Sequence, residues 1–172
     1  RRTLPEASVH VIAASSPAAE LLKGGEIVDS LTVYYARPPR NLKKYIEWVR
    51  ILRSLKPDVV IGAAGLDPVF VGIVSLMSGA RLRVGANWRG RGFLLTHTVE
   101  LDGNEYEAIQ NLRLVGALFG KQLHYGADDQ RIHLDEGLLK DGKEWREGLN
   151  LGSDELLVGF HPGSGSEQKW KR

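Results

Sequence analysis

Val59-Val60-Ile61-Gly62-Ala63-Ala64 is an apolar run with no polar position to turn toward water. A strand of that kind is covered on both faces, the usual condition of strands in parallel sheets. Residues 58–64 are therefore expected to form a central strand with Val59, Val60 and Ile61 buried. Parallel neighbours need crossover connections, usually helices. One follows at once: Asp67 is a good N-cap and Pro68 suits the first helical position, so a helix is expected from there to Ser78.

The same alternation runs along the rest of the chain. Residues 8–14 carry the β-formers Val9, Val11 and Ile12 and stop at Ser15-Ser16-Pro17, which leads into a short helix over 18–23 ended by Gly24-Gly25. Leu31-Thr32-Val33-Tyr34-Tyr35 is the next strand. Leu42, Tyr45, Ile46, Val49, Leu52 and Leu55 recur at helical spacing, opposite Lys43, Lys44, Glu47, Arg50 and Arg53, so that stripe is expected to face the core. A strand over 81–86 comes next, then an irregular stretch around Trp88-Arg89-Gly90-Arg91-Gly92. Residues 104–119 read as a helix capped by Gly120. A weak strand at 122–125 or 130–134 and a polar helix over 137–147 complete the series. Strands alternating with helices imply an α/β fold: a Rossmann-like, mainly parallel sheet with right-handed crossovers and flanking helices.

Composition narrows the function classes. Across 172 residues, 42% hydrophobic and 26% charged content describe an ordinary globular protein. No apolar run approaches the ~20 residues that span a bilayer, and polar Arg1-Arg2-Thr3-Leu4-Pro5 is no signal peptide. Cysteine is absent, which excludes disulfides and thiol catalysis. His10 reads as a core or edge residue of its strand, and His97, His124 and His133 fall at no metal-ligand spacing, so no metal site is expected.

A net charge of +2 does not argue for nucleic acid. Its distribution says more. Between Asp67 and Glu100 no acidic residue occurs, yet Arg81, Arg83, Arg89, Arg91 and His97 do. Such a local excess attracts anionic ligands. Arg89 and Arg91 sit in a Gly-flanked loop, where binding residues are commonly carried, and are the candidates for binding an anionic substrate. The plainer reading makes them solvated or ion-paired surface residues. Asp67 is most simply a helix cap.

The last candidate site is a loop. Leu156-Leu157-Val158-Gly159-Phe160 reads as a buried strand, and His161-Pro162-Gly163-Ser164-Gly165-Ser166-Glu167-Gln168-Lys169-Trp170 follows it. Gly lets backbone N–H groups approach phosphate, and Lys169, Lys171 and Arg172 supply charge. Gly163, Ser164, Gly165 and Ser166, with Lys169 or Lys171, are thus candidates for binding a diphosphate. Neither common nucleotide fingerprint fits: reading G-x-G-x-x-G from Gly163 puts Gln168 at the third Gly. A solvated turn is the alternative.

"HPGSGSEQKWKR" resembles the opening of the second domain in glycosyltransferase family 9, the ADP-heptose:lipopolysaccharide heptosyltransferases and their relatives. There a strand runs into H-P-G-[AST], followed by a Lys before an aromatic residue and proline. Pro5-Glu6-Ala7-Ser8-Val9-His10-Val11-Ile12 resembles the family's second strand. Lys56-Pro57-Asp58-Val59-Val60-Ile61-Gly62 resembles the strand of its "R-x-x-x-x-D-L-V-I-D" pattern. Ser78-Gly79-Ala80-Arg81-Leu82-Arg83-Val84-Gly85 is similar to "S-G-A-x-x-R-I-G", and Asn111-Leu112 to the start of "N-L-x-L-x-x-x-L-G". These matches follow the family's order through most of the chain.

The resemblance implies two Rossmann-like domains in the GT-B arrangement. Residues 1–148 would be the acceptor-side domain without its first strand, and 149–172 a linker plus the first strand and donor loop of a second domain; both ends of the chain read as cut. It implies transfer of a heptose-like sugar from a nucleotide-diphosphate donor (ADP-heptose-like) to a lipid-linked saccharide of the lipopolysaccharide type. The protein would be cytoplasmic, working at the inner face of the cytoplasmic membrane, with no cofactor and no nucleic-acid partner. The family's general-base Asp would precede Arg1, so no catalytic residue is assigned. Lys169 has the better distance from His161, whereas Lys171 matches if Trp-Pro followed Arg172; both remain candidates. The rival reading is a non-catalytic, regulatory nucleotide-binding module on the same fold.

Overall fold

A computed structural model describes residues 4–13, 16–23, 28–34, 42–124, 126, 134–152 and 155–160. It is a mixed α/β structure with two small parallel sheets. Strands β1 (His10–Ala13) and β2 (Ser30–Val33) pair in parallel, connected through helix α1 (Ser16–Leu22). Helix α2 (Leu42–Ser54) leads to the second sheet. There β3 (Val59–Ile61), β4 (Leu82–Ala86) and β5 (His97–Val99) lie side by side, all parallel, in that order. Helix α3 (Pro68–Ser78) crosses from β3 to β4; α4 (Glu107–Phe119) packs on β4 and β5, and α5 (Glu136–Gly148) follows.

Local chemistry accounts for the helix ends. Asp67 caps α3: its Oδ1 accepts from the Val69 and Phe70 N–H groups at 2.9 and 3.2 Å, with Pro68 in the first turn. Gly79 ends α3 in a left-handed conformation (φ 87°), which costs a glycine little. Asp135 caps α5 by accepting from the Leu138 N–H at 2.8 Å.

The core lies around β4. Val84 and Leu114 are fully buried with Ala64, and Val99, Leu101 and Leu118 pack against them. A second cluster joins α2 to its neighbours. Buried Trp48 stacks on Tyr34 and on Phe70 of α3, with ring centroids 4.6 and 6.0 Å away. The buried polar residues are satisfied: the Ser75 hydroxyl donates to Val71 O (2.6 Å), that of Ser78 to Ser75 O (2.7 Å), and the Gln110 amide to Glu105 O (2.5 Å).

Several expectations are corrected. The central buried strand is β4, which has a neighbour on each side and helices over it, and not β3. β3 is an edge strand whose Val59 and Val60 are half-buried and whose Ile61 is 40% exposed. On α2 the buried face centres on Trp48 and Leu52, and Ile46 and Leu55 are exposed; the Leu42 and Tyr45 side chains lie outside the described ones. Strand β5 falls where no strand was expected, and 104–106 precede α4 instead of opening it. Residues 122–124 form no strand, and 125 and 127–133 lie outside the described residues. Residues 156–160 are neither paired nor buried: Leu156 is 87% and Phe160 86% exposed.

Candidate functional site

Parallel strands bring their carboxyl ends to one edge, so the segments leaving β3, β4 and β5 emerge together. In such sheets ligands sit beyond that edge. Segment 62–67 leaves β3. The Ala64 N–H donates to Asn111 Oδ1 of α4 at 2.8 Å, and Gly65 takes φ +86°. Asp67 then turns the chain into α3. While one carboxylate oxygen caps that helix, the other lies 2.6 Å from Arg91 Nη2.

The arginine loop leaves β4, and Asn87 holds it. The Asn87 N–H donates to Val99 O (2.9 Å), its amide donates to Glu100 Oε1 (2.6 Å), and its Oδ1 accepts from the Gly92 N–H (3.0 Å). Between these anchors the chain reverses, with the Arg91 N–H on Trp88 O at 3.0 Å. Gly92 is where the loop closes onto the sheet: a Cβ there would stand 2.8 Å from Thr98 Cγ2. Arg89 and Gly90 form the tip, at φ 51° and 74°.

The four arginines of the acid-free interval and His97 separate by position. Arg81 and His97 stand at the opposite, amino-terminal ends of β4 and β5. Arg83, within β4, donates to Leu94 O (2.9 Å) and Ala80 O (3.1 Å), a structural role. Only Arg89 and Arg91 belong to the carboxyl edge. Arg91 is neutralised by Asp67, both side chains being about half exposed. The exposed Arg89 side chain has no hydrogen-bond or ionic partner among the described residues. The edge thus presents one locally balanced ion pair beside one uncompensated guanidinium, an arrangement able to receive an anionic group.

A cavity of about 680 Å³ lies between α4 and residues 121–124, with Val99, Glu105, Arg113, Lys121 and His124 in its lining. Arg113 crosses its wall, bonding Glu105 Oε2 (2.9 Å) and Glu100 O (3.1 Å).

Sequence reasoning found the two arginines and the Asp67 cap. It missed Asn87, Glu100 and the Asp67–Arg91 contact, which join residues from segments far apart in the chain; an Asn directly after a strand was the one available signal. Gly163, Ser164, Gly165, Ser166, Lys169 and Lys171 lie outside the described residues, as does His161. Among the described residues there is no group of three or more His, Cys, Asp or Glu able to hold a metal ion, and no helix is long and apolar enough to cross a membrane. The chain matches no protein-family model, no curated protein and no solved structure.

Proposed function

We propose that this chain belongs to a glycosyltransferase similar to the heptosyltransferases, and that it supplies the acceptor-side domain of a GT-B arrangement together with the start of the donor side. The observation that carries the reading furthest is Arg89, without a partner among the described residues, at the carboxyl edge of a parallel sheet beside the Asp67–Arg91 pair. The family-like motifs in order along the chain, ending in His161-Pro162-Gly163-Ser164, support the same reading.

In this proposal the substrates approach from two sides. Arg89 and Arg91 receive an anionic group of a lipid-linked saccharide. Backbone amides and hydroxyls of residues 163–166, with Lys169 or Lys171, hold the diphosphate of a nucleotide sugar. An acceptor hydroxyl oxygen attacks the anomeric carbon, the bond from that carbon to the diphosphate oxygen breaks, and the nucleoside diphosphate departs. The acceptor proton must pass to a base, a role assigned here to no residue. Charge that grows on the leaving oxygen is stabilised by donors already aimed at it.

The test is to incubate the whole polypeptide with a panel of nucleotide-diphosphate sugars, with and without lipid-linked saccharide. Release of nucleoside diphosphate that depends on acceptor is expected. Binding of nucleoside diphosphate with no turnover of any donor would contradict it and favour the regulatory module.

A further inference from the structure

Positive charge also gathers at the amino-terminal entrances of β3 and β4, away from Arg89 and Arg91. Arg53 stands in the last turn of α2, Lys56 follows that helix, and Arg81 follows Gly79 at the end of α3. The Leu82 N–H donates to Asp58 O at 3.0 Å and ties the two strand entrances together. Arg53, Lys56 and Arg81 all line one cleft there, of about 420 Å³.

Cations are common at helix C-termini, where they satisfy the last carbonyls and complement the dipole. At the end of α3 other groups already do this. Leu76 O accepts from the Gly79 N–H (3.2 Å), Met77 O from Arg53 Nε (3.1 Å) and Ala80 O from Arg83 Nη1 (3.1 Å). The bond from Arg53 leaves both of its Nη groups available. Lys56 and Arg81 have no side-chain hydrogen bond or ion pair among the described residues. Asp58, the one acid in the cleft lining, is ion-paired with none of the three cations. The cleft therefore holds an excess of positive charge that capping does not use.

The backbone adds a second sign. Helix α3 ends on left-handed Gly79 (φ 87°), whereas α2 ends on Lys56 (φ 44°), whose N–H closes the turn on Arg53 O at 3.2 Å. Glycine takes that conformation at no steric cost and lysine does not. A charged residue is kept where stability alone favours glycine, and strain of this kind gathers at functional sites.

We infer that the cleft binds a phosphate group, held by the guanidinium groups of Arg53 and Arg81 and the ammonium group of Lys56. Guanidinium forks match pairs of phosphate oxygens, and lysine adds a point charge. Ligand pockets run from ~300 to ~1,000 Å³, so this one suits a compact phosphorylated group. A soluble phosphorylated compound and an anionic lipid headgroup offer the same chemistry. The cleft is independent of the transferase reading, whose groups lie at the other end of these strands and beyond residue 160.

Amide NMR of the whole polypeptide, titrated with pyrophosphate in about 0.15 M salt to screen loose surface attraction, tests the site. Saturable shifts are expected at residues 53–58 and 78–82. Lys56→Gly and Arg81→Gln should each weaken the binding that these amides report by about tenfold or more, the scale of one charged contact. Lys140→Gln, the same loss of charge on α5, should leave it unchanged. Lys56→Gly should melt no lower than the native protein, which separates lost binding from lost folding. Flotation with phosphatidylcholine vesicles, with and without phosphatidylglycerol, identifies the source. Vesicle binding that needs phosphatidylglycerol and is lost in Arg81→Gln assigns the phosphate to a lipid headgroup; pyrophosphate binding without it assigns a soluble compound. The inference is overturned if neither pyrophosphate nor vesicles shift these amides, if Lys56→Gly and Arg81→Gln both bind as the native protein does, or if Lys140→Gln loses as much as they do.

Discussion

Helices α4 and α5 each run for 13 residues and each carry a glutamate in the first turn, yet their surroundings differ. α4 lies against β4 and β5 and buries Gln110, Leu114 and Gly116; at its end Gly116 comes so close to the Lys121 carbonyl that a Cβ would collide with it. α5 buries nothing, and its Leu138, Leu139 and Trp145 stand in the open. Residues 156–160 behave as α5 does. Capping and periodicity suffice to form a helix, but burial needs a surface to dock on, and α4 finds one on β4 and β5 where α5 does not. The edge that carries Arg89 and Arg91 belongs to that same docked region, where Asn87 and Asn111 tie segments together.

The sharpest way to break this contrast is to cut into both regions. Leu114→Ala should cost about 2–5 kcal/mol, the range for a fully buried leucine. Trp145→Ala should cost about 0.5 kcal/mol or less, as exposed positions do. Chemical denaturation of the two variants compares them directly, and equal losses would mean that α5 is as well docked as α4.

A smaller effect is expected at the edge. In the whole polypeptide, Arg89→Ala should weaken an anionic acceptor by about 1.5–3 kcal/mol, the scale of a charged hydrogen bond, with donor affinity unchanged. Arg91→Ala should cost less, because its charge is already matched by Asp67. Acceptor kinetics measured on both variants check the order. Unchanged kinetics in both would return the pair to the solvated surface.

Smallest are the changes at Asp67 itself. Asp67→Ala loses the cap of α3 and should cost about 1 kcal/mol of stability. Asp67→Asn keeps a capping oxygen and loses only a half-exposed ion pair, worth about 0–1 kcal/mol. Thermal melts of the two should therefore separate, and coincident melts would say that the ion pair outweighs the cap.

What the sequence disclosed follows the same division. Helix α3 was legible almost residue by residue because its start signals are local: Asp67 and Pro68 act within one turn of the chain. The Gly120 cap of α4 was equally plain. Strand β5 was not, since His97-Thr98-Val99 is three residues long and owes its pairing to β4 rather than to its composition. Burial also escaped local reading. The run in β3 looks more central than the one in β4, yet β4 received the second neighbour. At the site, the arginines could be picked out by charge and glycine flanks, whereas their ranking depended on Asp67 lying within reach of one and not the other.

The account's central claim is that donor and acceptor are held by separate groups, the diphosphate at residues 163–171 and the acceptor at Arg89 and Arg91. Calorimetric titration of the whole polypeptide with a nucleoside diphosphate tests this most directly, using Gly165→Val, Lys169→Ala, Lys171→Ala and Arg89→Ala. Gly165→Val should lower affinity with little change in melting temperature, because a side chain blocks the close backbone approach. One lysine variant should lose about tenfold or more, as expected for one charged contact, and the other should not. Arg89→Ala should bind as the native protein does. Native affinity in the first three variants, or its loss in Arg89→Ala alone, would contradict the claim.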